Sequence, residues 1–337
     1  MAQRRAIEKW VIALVTVNIT LIVPGLILGR IGLTNVGVVG LAGLAAVIAT
    51  ATLGWRVGAA TGVAVTVGMV LADVAAASWF VATALMVLAS VLYGFTALRG
   101  WQHGVVLAPI AVGFAIAEPP TRAVTGDRPF LLVGLAMVAT VAFGVLVAAA
   151  LSRGATPKPS APVDRLRTRG FAIMLGLAAV ITTPITVIAG WGHAGGWLIM
   201  TPLLVIQPSL HDSMRKSLRR AAGTIVGFAI AFAIALVIPQ GWVLYVIGAV
   251  FAGFALYAMG RRWDYSVFAA TLTVAVVLLE GASTSVADTG EWRVIATLVG
   301  VGIVLALVAA LTPLYMRVIA REEHDARSEE SADPPTR

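Results

Sequence analysis

The chain has 337 residues, of which 59% are hydrophobic and only 12% charged, with a mean hydropathy of +0.95. This excludes a water-soluble globular domain and points to an integral membrane protein. The net charge of +8 does not read as a nucleic-acid face, because the cations are scattered among apolar runs, and with no cysteine disulfides, thiolate metal sites and thiol nucleophiles are ruled out.

A helix crossing the hydrocarbon core needs roughly 20 apolar residues. In chain order the candidate spans are 10–28, 33–52, 56–72, 77–97, 104–118 and 130–151, then 170–190, 196–209, 221–239, 241–259, 265–281 and 294–315, about 12 in all. The first follows MAQRRAIEKW and reads as a retained span, since its apolar run is long and no A-x-A cleavage site follows. Residues 1–151 form a first membrane half and 170–316 a second, joined by a Pro-, Ser- and Arg-containing cytoplasmic linker at 152–169; the charged tail at 317–337 reads as disordered.

With the N-terminus inside, only Arg30, Arg122, Arg128 and Arg293 of the 24 lysines and arginines fall on outer segments. The remainder lie inside, which predicts a multi-pass protein of the plasma or inner membrane with both termini cytoplasmic. Shifting the sequence by 163 positions superimposes Arg56 on Arg219, Thr61 on Thr224 and Arg99 on Arg262. The expected fold is therefore all-α: two parallel six-helix repeats related by a pseudo-twofold axis along the membrane normal.

The stretch RKSLRRAAGTIVG, 215–227, concentrates cations at the mouth of an apolar run. Arg220, Thr224 and Gly227 share one helical face, and Gly223 and Gly227 form a small-xxx-small pair beside it. Topology alone accounts for four cations on a cytoplasmic segment. The sharper alternative is an electropositive vestibule that concentrates an anion, favoured at a span end because a cation at mid-membrane costs about 2.5–3.5 kcal/mol on insertion scales.

The run HAGGWLIMTPLLVIQPSLHDSMRKSLRRAAGTIVGFAIAFAIALVIP, 193–239, resembles the fusaric acid resistance family of integral membrane transporters, which includes bacterial aromatic acid exporters. The family's Trp-containing span, Gln-Pro turn and Arg, Gly-Thr, Gly helix opening look like Trp197, Gln207, Pro208, Arg220, Gly223, Thr224 and Gly227. The stretches 261–278 and 292–313 are similar to its last two spans, whereas RVGAATG, 56–62, keeps Arg56 and Thr61 but shifts the glycines. The resemblance implies export of small organic anions, often aromatic carboxylates, and a distant similarity to plant aluminium-activated malate channels. One departure is that many members carry a large cytoplasmic domain after each half, while this chain has a short linker and a short tail.

On this reading Arg219, Arg220, Arg56, Arg261 and Arg262 attract a carboxylate, while Thr224 and Gln207 supply neutral hydrogen bonds. Most tryptophans fall near interfaces as an aromatic belt, with Trp197 and Trp263 as alternative stacking partners for an aromatic substrate. The four histidines, His103, His193, His211 and His324, show no metal-ligand spacing and read as satisfied or solvated. No phosphate-binding loop is present. Among acidic residues at span ends, Asp73, Glu118, Asp264 and Glu280, the last is the nearest candidate for proton coupling, with a solvated end residue as the plainer reading. No cluster suggests an enzyme or a cofactor. The expected partners are an organic anion and membrane lipid, with self-association left open; a lipid-binding scaffold of the envelope is the competing class.

Overall fold

The computed structural model describes residues 36–124, 129–151, 159–261, 263–281 and 285–332. The first predicted span, 10–28, lies outside the described residues, as do Arg30, Arg128 and Arg262. Among the described residues every regular element is helical: α1 (Val36–Leu53), α2 (Trp55–Ala75), α3 (Trp79–Phe95), α4 (Gln102–Val105), α5 (Leu107–Ala117), α6 (Pro129–Leu151), α7 (Arg165–Ile188), α8 (Gly192–Val205), α9 (Leu210–Val237), α10 (Gly241–Gly260), α11 (Tyr265–Gly281) and α12 (Val286–Ala332). Among the described residues seven apolar segments are long enough to cross a membrane, and Gly37–Leu53, Gln102–Ala117 and Tyr265–Gly281 are shorter apolar helices. The outer surface is apolar, with exposure reaching 67% at Phe80, 74% at Trp242 and 80% at Val237. Such a surface is compatible with lipid and costly in water.

Three boundaries differ from the sequence expectation. Residues 215–220 are not a loop before a span but part of α9, which begins at Leu210 once Ser209 caps it by accepting a hydrogen bond from the Asp212 N–H at 3.4 Å. Likewise α7 starts inside the predicted linker, where the Asp164 carboxylate accepts from the Arg167 N–H at 2.9 Å. The segment predicted as an irregular tail continues α12 as far as Ala332, in a run rich in Glu, Arg and Ala, which favour helix.

Helices from the N-terminal and C-terminal parts of the chain interlock. Helix α3 packs along α7, and α5 packs along α8. The second contact depends on small residues: a Cβ on Gly196 would strike the Phe114 ring, and one on Gly113 would come within 2.6 Å of Ile199 Cγ2. The end of α3 is turned by Gly100, whose φ of 68° suits glycine, and the Gly100 carbonyl accepts from the Ser160 N–H at 3.0 Å. Helices α9 to α12 form the other packed group, with α9 and α10 both against α11 and α12 lying along α9 and α8.

A single carboxylate anchors the loop after α5. Asp73, buried at the end of α2, accepts from the Thr121 N–H at 3.0 Å and from the Thr121 hydroxyl at 2.7 Å. Asp73→Ala is expected to cost about 2 kcal/mol, since it removes two charge-assisted bonds and leaves Thr121 without them. Chemical denaturation in detergent would measure this, and an unchanged midpoint would show that the loop is held by other contacts.

Candidate functional site

Polar side chains follow α11 from one end to the other. Tyr265 opens the helix, Thr273 lies midway and Glu280 is next to its last residue. Fifteen residues at about 1.5 Å each separate Tyr265 from Glu280, roughly 22 Å and most of a hydrocarbon core.

At the Tyr265 end, Asp264 caps α11 by accepting from the Ser266 N–H at 2.9 Å and the Ser266 hydroxyl at 2.7 Å. These bonds, backbone first, with Arg219 and Arg215 adding smaller attractions, hold the Asp264 carboxyl below the usual range. It is therefore charged opposite Arg219, whose Nη1 lies 2.8 Å away in a partly exposed pair. Lys216 stands 4.8 Å above the Tyr265 ring.

One turn deeper the environment closes. The face of α9 bearing Ser217, Arg220, Gly223, Thr224 and Gly227 is buried, and the glycines are the reason: a Cβ on Gly223 would meet the Ser266 carbonyl at 2.6 Å, and one on Gly227 the Ala270 carbonyl. Helix α11 therefore lies directly over Arg220. The Arg220 side chain is 0% exposed, yet none of its three guanidinium nitrogens has a hydrogen-bond partner. The Tyr265 hydroxyl is close to Arg220 but outside hydrogen-bonding geometry. Ser217 Oγ, Thr224 Oγ1 and Thr297 Oγ1 are buried without partners too.

A second buried guanidinium comes from α12. Arg293 is 1% exposed and lies 3.9 Å over the Trp197 ring, an arrangement that stabilises a desolvated cation by about 2 kcal/mol. Its Nε donates to Thr273 Oγ1 at a long 3.4 Å, while both terminal nitrogens have no partner. Arg293 is within electrostatic reach of Arg220, Tyr265 and Glu280.

At the Glu280 end, α8 presents His193 between two carboxylates. Its Nδ1 is 2.6 Å from Glu118 Oε2 and its Nε2 2.9 Å from Glu280 Oε1. Glu118 follows α5 and Glu280 ends α11, so the imidazole ties the first half of the chain to the second. Phe114 and Trp197 enclose the ring with centroids at 5.5 and 5.6 Å. All three polar groups are partly open to solvent.

Several predicted residues stand elsewhere. Arg56 is exposed and stacks on Trp55, with its guanidinium 5.5 Å from the ring centroid; Arg261 is exposed at the end of α10. The Gln207 amide turns to its own chain, donating to the Ile206 carbonyl at 2.6 Å. Trp263 packs on Phe254 and Tyr257 instead of the arginines. Arg220, Thr224, Gly223, Gly227, Trp197 and Glu280 are brought to the α8, α9, α11 and α12 group. Conversely, Arg293, predicted as an outer-segment cation, is in the core because α12 starts at Val286, two turns before it. His193, read from the sequence as satisfied or solvated, is satisfied by both carboxylates at the centre of the Glu118 and Glu280 cluster. One sequence signal could have found that cluster: Glu118 and Glu280 are 162 positions apart, the same interval that separates Trp101 from Trp263.

A crevice outside this group, about 160 Å³ of open space lined by residues including Met86, Leu175, Ile199 and Leu203, has no charged residue in its lining. No group of His, Asp and Glu among the described residues has the arrangement of a metal site.

No curated protein and no solved structure matches the chain. Residues 185–307, which contain His193, Trp197, Arg220, Glu280 and Arg293, match the family model described as fusaric acid resistance protein-like, so the second half of this chain is similar to that family.

Proposed function

We propose that this protein is a membrane transporter of small organic anions, with a path along α11 in which Arg220 and Arg293 receive a carboxylate. The observation that carries the reading is Arg220, wholly buried with three unpartnered nitrogens. A charge in that position costs several kcal/mol of desolvation, and an anionic ligand held by two guanidinium groups offsets it.

Tyr265, Thr224 and Ser217 are placed to hydrogen-bond such a ligand, and Lys216 with the pair Arg219 and Asp264 forms its cytoplasmic mouth. The matched family's name, resistance to fusaric acid, itself an aromatic carboxylic acid, favours aromatic carboxylates as the substrate class. In the full architecture we propose two six-span halves, with both termini cytoplasmic. Supporting this, α10 and α11 fall where a shift of 163 positions carries α3 and the segment Gln102–Ala117.

Flux of labelled 4-hydroxybenzoate into proteoliposomes of the purified protein tests the reading. Saturable uptake above that of protein-free vesicles is expected. Failure to move any of a panel of organic anions would shift weight to a lipid-binding scaffold, in which the arginines are topology signals.

A further inference from the structure

The Glu118, His193 and Glu280 cluster has no part in holding a carboxylate, yet it sits at the end of the same polar column. We propose that this cluster takes up one proton when an anion occupies the Arg220 and Arg293 site, so that anion and proton move together in the same direction.

Three observations carry this. First, Arg293 is the link: its unpartnered terminal nitrogens are buried, and it lies 3.9 Å over the Trp197 ring, whose centroid is 5.6 Å from that of His193. Guanidinium charge keeps a neighbouring carboxylate ionised; an anion that cancels this charge makes protonation of the carboxylate easier. Second, His193 joins the two carboxylates within 2.9 Å on each side, so a proton arriving at any of the three is shared among them. Third, the cluster is partly solvent-exposed while the arginines are not, which gives it access to protons from one side of the bundle.

Among the described residues, charged groups near the cluster come from neighbouring helices. Arg293 approaches from α12, with Arg220 and Tyr265 behind it. Arg122, Asp288 and Glu291, on neighbouring segments, are exposed, where solvent screens their influence. The sign follows directly. A buried cation near the cluster disfavours an added proton there; one neutralised by a bound anion does not. Binding of anion therefore raises proton binding, and by reciprocity a lower pH tightens anion binding. Each cycle would move one anion and one proton, with no net charge for a monocarboxylate. An exchanger that moves them in opposite directions requires the contrary linkage.

The inference rests on the proposed anion site, and one experiment separates the two. Titration calorimetry of the full-length protein in detergent with 4-hydroxybenzoate, in two buffers of different ionisation enthalpy near pH 6, counts the protons exchanged on binding. Uptake approaching one proton per anion is expected, with affinity about tenfold tighter at acidic than at alkaline pH. Glu280→Gln and Glu118→Gln should still bind the anion, with the uptake reduced and the pH dependence flattened. Binding with no proton exchange, or with proton release, would overturn the inference and leave the anion site standing. Absence of binding in the wild-type protein would overturn both. The wild-type proton count decides the matter even where a variant fails to fold.

Discussion

Arg220→Met is expected to make the protein more stable and to abolish saturable anion flux. Both halves of this result have the same cause. A buried guanidinium with no hydrogen-bond partner is a net cost to the fold, and an apolar side chain of similar length removes it; buried charges replaced in this way commonly give stability gains of about 1–3 kcal/mol. The same change deletes the cation that a carboxylate would meet.

Thermal unfolding in detergent without anion, paired with proteoliposome flux, would read both effects. Added 4-hydroxybenzoate should raise the unfolding temperature of the wild type and leave that of the variant unchanged, since a ligand stabilises only a protein that binds it. Loss of stability in Arg220→Met would mean that Arg220 has a structural partner, and the anion reading would lose its main support. Arg219→Gln is the control: its pair with Asp264 is partly exposed, so stability should change by less than about 1 kcal/mol.

Gly227→Leu should prevent α9 from docking on α11. Even Gly227→Ala places a Cβ against the Ala270 carbonyl, with Thr273 Cβ at 2.8 Å and the Ala270 Cα at 3.0 Å. Backbone cannot rotate away as a flexible side chain can, so Ala is expected to cost about 1–3 kcal/mol and Leu considerably more. Flux should fall with stability, because the separation that admits the larger side chain also draws Arg220 and Thr224 away from Tyr265 and Thr273. Gly302, where a Cβ would meet nothing within 4 Å, provides the comparison: Gly302→Ala should leave the protein intact. Equal behaviour of the two variants in size-exclusion chromatography and thermal unfolding would refute close α9 to α11 packing as the determinant.

Much of the Arg220 face was legible before any coordinates. Arg220, Thr224 and Gly227 recur at helical spacing, and Gly223 and Gly227 mark a close approach, so the residues of one helix that turn inward could be read from periodicity. What they approach could not. Arg293 is separated from Arg220 by more than 70 positions, and nothing in WRVIATLVG distinguishes an arginine at a water-facing end from one two turns inside α12. Its burial follows from where α12 begins and from the Trp197 ring that covers it. Arg56 differs in the other direction: its alignment with Arg219 carried it into the expected anion path, and it is exposed on α2, away from the buried arginines.

The sequence by itself determined the membrane class, the all-helical fold and the glycine-lined face of α9, because hydropathy and helical periodicity are local properties that need no partner to be read. Tertiary structure alone decided that His193, Glu118 and Glu280 meet, and that Arg293 packs on Trp197. Each of those contacts unites residues from helices far apart in the chain, and the energy that selects them lies in how whole helices pack, which no short stretch of sequence encodes.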